Sequence, residues 1–162
     1  MDSVYLHLLV NHVPILGSMF AFLLFVAGLV RRRAEVARAG LWAMVAVALL
    51  TVPAYISGRE AEDHVKRLPG VSTIVMEEHE EAALPAMLTI EGAGLLSLIA
   101  LAMGRGGRPL PPWVAGAVVA ISVLGIVLMA RAGNLGGQVR HSEIRSGAAA
   151  GGTEHEDVHE DH

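Results

Sequence analysis

The sequence predicts an all-α protein: a four-transmembrane-helix up-down bundle, N-out/C-out, with a long outer loop between helices 2 and 3. Three observations predict it. Of 162 residues, 53% are hydrophobic and the mean hydropathy is +0.51, too apolar for a soluble domain of this length. Four apolar runs, residues 4–30, 40–57, 82–103 and 110–130, approach the roughly 20 helical residues that cross a hydrocarbon core about 30 Å thick. Charged punctuation joins them and leaves almost no amphipathic stripe for water.

The first run is interrupted by Asn11, His12 and Pro14 and lacks the basic start and small-residue cleavage site of a secretory signal, so the chain is expected to be mature from Met1. The second run is the shortest and the weakest span. Two connections are short, residues 31–38 and 104–109, and they carry six of the twelve basic residues with one acid, Glu35. The positive-inside rule places both in the cytoplasm. The other six basic residues, Arg59, Lys66, Arg67, Arg131, Arg140 and Arg145, are spread over a much longer outward length. The loop 58–81 is expected to hold two short helical pieces around a turn at Leu68-Pro69-Gly70. After the last run, Gly133-Asn134-Leu135-Gly136-Gly137 is rich in helix-breaking glycine and predicts a fold-back over the bundle mouth. Residues 1–145 form the membrane domain, and 146–162 an acidic, histidine-containing tail expected to be disordered.

Cysteine is absent, which excludes disulfides, thiolate metal sites and a cysteine nucleophile. No basic nucleic-acid footprint is present. Chemistry is left to His, Asp and Glu, and all eight histidines fall on the outward side. His12 and His79 lie at similar depth on helices that are diagonal partners, so their imidazoles can approach a flat cofactor or a metal from opposite sides. His141 joins them through the expected fold-back. The alternative is that His12 bonds near the headgroups and His79 is a solvated residue at a helix start. His7, Asn11, Pro14 and Ser18 share one helical face, with His12 turned about 100° from Asn11. If the His7 face lines the interior, His12 is lateral; its greater depth, where an unpaired polar group is harder to tolerate, argues for His12.

Glu91 stands near mid-membrane, where ionisable groups usually face the interior and mark proton, ion or cofactor sites. The plainer role is a bond to a neighbouring helix through Thr51 or Tyr55. Glycines at 17, 92, 94, 133, 136 and 137 permit close approach of something bulky, Gly136 and Gly137 nearest the histidines, or equally of another helix. His7, His64 and Glu80 are the supporting candidates for a metal. The tail's histidines and acids can collect divalent metals weakly, or simply be solvated.

Several motifs fail. His79-Glu80-Glu81-Ala82-Ala83 begins like a zincin helix, but Ala83 replaces the second histidine. No Glu-x-x-His, Walker loop, Gly-x-Ser-x-Gly or dinucleotide fingerprint occurs, and no internal duplication is visible.

The segments Asn11-His12-Val13-Pro14-Ile15-Leu16-Gly17, Pro53-Ala54-Tyr55-Ile56-Ser57-Gly58, Leu68-Pro69-Gly70-Val71, Glu78-His79-Glu80-Glu81-Ala82-Ala83 and the stretch from Asn134 to Arg145 together resemble a group of uncharacterised bacterial four-helix inner-membrane proteins. More distantly they resemble small membrane proteins with a His-x-Pro start. The resemblance spans roughly residues 5–145 and implies a bacterial inner-membrane location and one outer constellation of His12, His79, Gly136, Gly137 and His141. It implies no ligand. The expectation from the residues is a haem b held near the outer surface by His12 and His79, or a divalent metal ion, for electron transfer within a membrane redox complex. His141 is the substitute ligand, and Glu91 is placed to relay a proton or to anchor a propionate or a quinone. The rival is a structural or assembly subunit without cofactor; a hydrolytic enzyme comes third.

Overall fold

A computed structural model describes residues 3–67 and 71–140. Among them the chain forms α1 (Ser3–Val10), α2 (His12–Val30), α3 (Ala34–Val65), α4 (Thr73–Met103) and α5 (Pro112–Arg140), with one 3-10 turn at Arg105–Gly107. Four stretches are long and apolar enough to cross a membrane: Tyr5–Val30, Ala34–Glu62, Thr73–Met103 and Pro112–Val139. The first runs through the α1/α2 break. That break follows from Pro14, which has no amide hydrogen for the carbonyl of Val10, while Asn11 keeps right-handed helical angles (φ −62°, ψ −25°).

Successive spans pack side by side, α2 on α3, α3 on α4 and α4 on α5, and α2 closes the ring against α5. The turn after α2 is capped by the Arg33 amide, which donates to the carbonyl of Gly28 at 2.8 Å; Arg32 there takes a left-handed φ of 53°. Gly106 and Gly107 (φ 69° and 77°) make the equivalent reversal after α4.

The second span is longer than its apolar run suggests. α3 continues through Pro53 to Val65, and α4 begins at Thr73, so the helical pieces expected in the 58–81 segment are extensions of the spans. The turn at Leu68-Pro69-Gly70 lies outside the described residues, as do His141 and the tail 146–162. The expected fold-back at Gly133 does not form: α5 runs unbroken to Arg140. Glycine breaks a helix by exposing its backbone to water and by its freedom in the unfolded chain; packed against other helices, the same residues serve close contact.

Small residues set the spacing. Near the end that carries Arg31 and Arg105, Phe25, Ala37, Leu41, Ala100, Leu101, Val114 and Val118 form one buried cluster. Towards the other end Val47, Ala48, Ala82, Ala86, Ile90, Met129 and Ala132 form another. Between them Ala21, Met44 and Ala93 form a third, while many large apolar side chains face outward, Leu16, Phe20, Leu23, Leu49, Leu95 and Leu124 among them, a surface suited to lipid and not to water. A Cβ on Gly28 would lie 2.2 Å from the backbone nitrogen of Ala37, whereas nothing lies within 4 Å of one on Gly116. Gly28→Ala is therefore expected to lower bundle stability by about 1–3 kcal/mol and Gly116→Ala to leave it unchanged, measured as the midpoint of detergent-induced unfolding.

Candidate functional site

On α2 the buried residues are Pro14, Ser18, Ala21, Phe25 and Gly28. This is the face that continues upward through Asn11 to His7, so the interior belongs to His7 and not to His12. His12 is exposed. His7 is half-buried, and its Nδ1 donates to the carbonyl of Ala54 on α3 at 2.9 Å. His79 is half-buried on α4, and its Nδ1 donates to the carbonyl of Ala132 on α5 at 2.8 Å. Of the two histidines of the first span it is therefore His7, and not His12, that turns inward, because helical phase outweighs the extra depth of His12.

Each imidazole lies in a notch made by a glycine four residues beyond the accepting carbonyl. A Cβ on Gly58 would lie 2.9 Å from Cε1 of His7, and one on Gly136 would lie 3.1 Å from Cε1 of His79. Without those side chains the rings rest directly on the neighbouring helices. Two Ala-x-x-x-Gly segments, Ala54 to Gly58 and Ala132 to Gly136, are therefore the parts of the site that residue chemistry alone overlooks. Their spacing was the signal available, since in a helix it puts the carbonyl of the first residue beside the bare backbone of the second.

Because a carbonyl oxygen only accepts, the proton of each neutral ring sits on Nδ1 and Nε2 carries a lone pair. The two rings share one level. At about 1.5 Å per residue, His7 and His79 stand roughly 35 Å along their helices from the basic turns, and Ala54 and Ala132 roughly 30 Å. One turn deeper on the His7 face, Oδ1 of Asn11 is buried with no hydrogen-bond partner among the described residues.

The remaining candidates are dispersed. Glu62 of α3 is paired with Lys66, which holds the lysine's proton more tightly than usual, and Glu80 is half-buried on α4. His64 lies on α3, but its side chain is outside the described ones. Gly137 is half-buried on α5. Gly17, Gly94 and Gly133 admit neighbouring helices, at Val47, Ala48 and Ile15 respectively. Thr51 bonds back to Val47 of its own helix at 2.8 Å, and Oε1 of Glu91 has no hydrogen-bond partner among the described residues. Among the described residues no three His, Asp or Glu side chains group as a metal cluster.

Four apolar spans, two of them carrying a histidine bonded to a neighbouring helix, define a small multi-pass membrane protein. The chain belongs to the family described as Predicted membrane protein (DUF2231), which matches residues 4–143. No curated protein and no solved structure matches it.

The notches can be tested directly. With 15N-labelled histidine in bilayers, two rings are expected as Nδ1–H tautomers with bare Nε2. Gly58→Val should remove the His7 signal and Gly136→Val that of His79, each at a cost of about 1 kcal/mol for the lost hydrogen bond. Unchanged spectra in both variants would show that the glycines do not hold the rings.

Proposed function

We propose that the protein is an electron-transfer subunit of the bacterial inner membrane that holds a b-type haem between His7 and His79, at the periplasmic end of the bundle. The observation that carries this is the matched pair of Nδ1 bonds to backbone carbonyls. Metal-bound histidines almost always donate their other ring nitrogen to a carbonyl, a carboxylate or water, which fixes the tautomer and makes the free nitrogen more basic. Here two such nitrogens come from diagonal spans at one depth. Oδ1 of Asn11, one turn deeper on the His7 face, adds a buried polar atom with no hydrogen-bond partner among the described residues.

A bound haem would supply reversible one-electron transfer, at a potential set by its axial ligands and by burial. The chain's own residues would do the rest. Ala54 and Ala132 orient the rings, and Gly58 and Gly136 let them rest against the neighbouring helices. The orientation follows from Arg31, Arg32, Arg33, Arg105 and Arg108, whose loops are cytoplasmic by the positive-inside rule.

Protein purified after expression with ample haem is expected to show a reducible Soret band with one haem per chain. His7→Ala and His79→Ala should each abolish it, and His12→Ala should keep it. Elemental analysis of the same sample distinguishes iron from another divalent metal. A colourless, metal-free preparation that co-purifies with a larger complex would overturn the haem assignment in favour of a structural subunit.

A further inference from the structure

Glu91 takes no part in the histidine layer, yet its surroundings are distinctive. It opens into a cleft between α3 and α4 of about 190 Å³, lined by Val45, Ala48, Leu49, Gly94, Leu95 and Leu98. The spacing of these residues is that of one stripe on each helix. Leu49, Leu95 and Leu98 are exposed, so the cleft opens sideways onto the lipid and not into the bundle. Its floor is kept shallow by Gly94, whose missing Cβ would lie 2.4 Å from that of Ala48. Glu91 lines the cleft, and its Oε1 has no hydrogen-bond partner among the described residues.

An unsatisfied carboxyl oxygen in hydrocarbon is unfavourable by several kcal/mol. A partner arriving from the membrane would relieve that. Glu91 lies roughly 18 Å from the inner end of α4, at about 1.5 Å per residue, well inside a core about 30 Å thick. Phospholipid headgroups do not reach that depth, and acyl chains bring no polar atom. The occupant must be wholly lipid-soluble and carry a hydrogen-bonding oxygen on a compact head. The cleft is below the roughly 300–1,000 Å³ of a pocket that encloses a whole drug-sized ligand, so it suits a ring whose tail stays in the bilayer.

We propose that this cleft binds the ring of a lipid-soluble quinone, with Glu91 as the hydrogen-bond partner of a ring oxygen. The carboxyl donates to a quinone carbonyl or accepts from a quinol hydroxyl. The choice of a redox-active ring rests on the haem assignment above; the cleft, its lateral opening and the orphaned oxygen do not.

The test is photolabelling with an azidoquinone in phospholipid vesicles, mapped by mass spectrometry. Label is expected on residues 45–49 and 91–98, and excess unlabelled short-chain quinone should suppress it. Glu91→Leu should weaken labelling about tenfold, the loss of one buried hydrogen bond, while Glu91→Gln, which keeps a donor and the shape, should retain it. Labelling should persist in colourless His7→Ala protein, so that loss of the haem reading and loss of this one are separable. Label scattered over the exposed leucines of all four spans and insensitive to competing quinone would overturn the proposal. So would wild-type labelling in Glu91→Leu; if that variant does not fold, competition in the wild type and in Glu91→Gln decides.

Discussion

A helix in hydrocarbon has no water to satisfy its backbone, so its carbonyls and amides pair along the helix and little remains for side chains to bond. The structure depends on that constraint. Several hydroxyls on the spans turn back on their own helix, Ser18 to the carbonyl of Ile15, Thr51 to Val47 and Thr89 to Pro85. The imidazoles of His7 and His79 instead cross to the next helix and share a carbonyl there. A carbonyl has two lone pairs and can serve both partners. What it needs is an unobstructed approach, which Gly58 and Gly136 supply.

The device occurs once in each helical hairpin. In the first, a histidine of α1 binds α3; in the second, a histidine of α4 binds α5, at the same distance from the basic turns. The two hairpins thus have a common plan that their sequences do not advertise, because the shared features are a ring, a carbonyl and an absent side chain. Each bond ties two antiparallel helices at the end remote from the arginine turns, beyond the alanine-rich packing that holds their middles. The result is a bundle that is apolar and close-packed towards the arginine turns and carries the two imidazoles at the opposite end.

Polarity along the bundle is therefore layered. The two imidazoles and the paired Glu62 and Lys66 occupy the end remote from the arginine turns, and the buried clusters around Phe25 and Ile90 fill the interior. Glu91 breaks the layering, an acid among leucines on the side that faces lipid. Burial inside the bundle would have offered it a hydroxyl partner. Its place at the α3/α4 seam offers none, and this separates it from the histidines in chemistry as well as in position.

The sequence by itself determined the all-α class, the four spans and the membership of a membrane protein family, because an apolar run of about 20 residues has few other fates. It also limited the chemistry to histidine and carboxylate. Helical phase was legible too: His7, Asn11, Pro14 and Ser18 fall on one face by arithmetic. Which of two faces turned inward was not, since Leu16 and Phe20 are as apolar as Phe25 and hydrophobicity does not sort inside from outside when the solvent is lipid. Only the tertiary structure chose His7 over His12, carried α5 straight through Gly133 and Gly136, and set Glu91 at a seam. The reason is the same in each case. Packing in a membrane is decided by where small residues let two backbones or a ring and a backbone touch, and that is a property of pairs of helices, which no single segment of the chain contains.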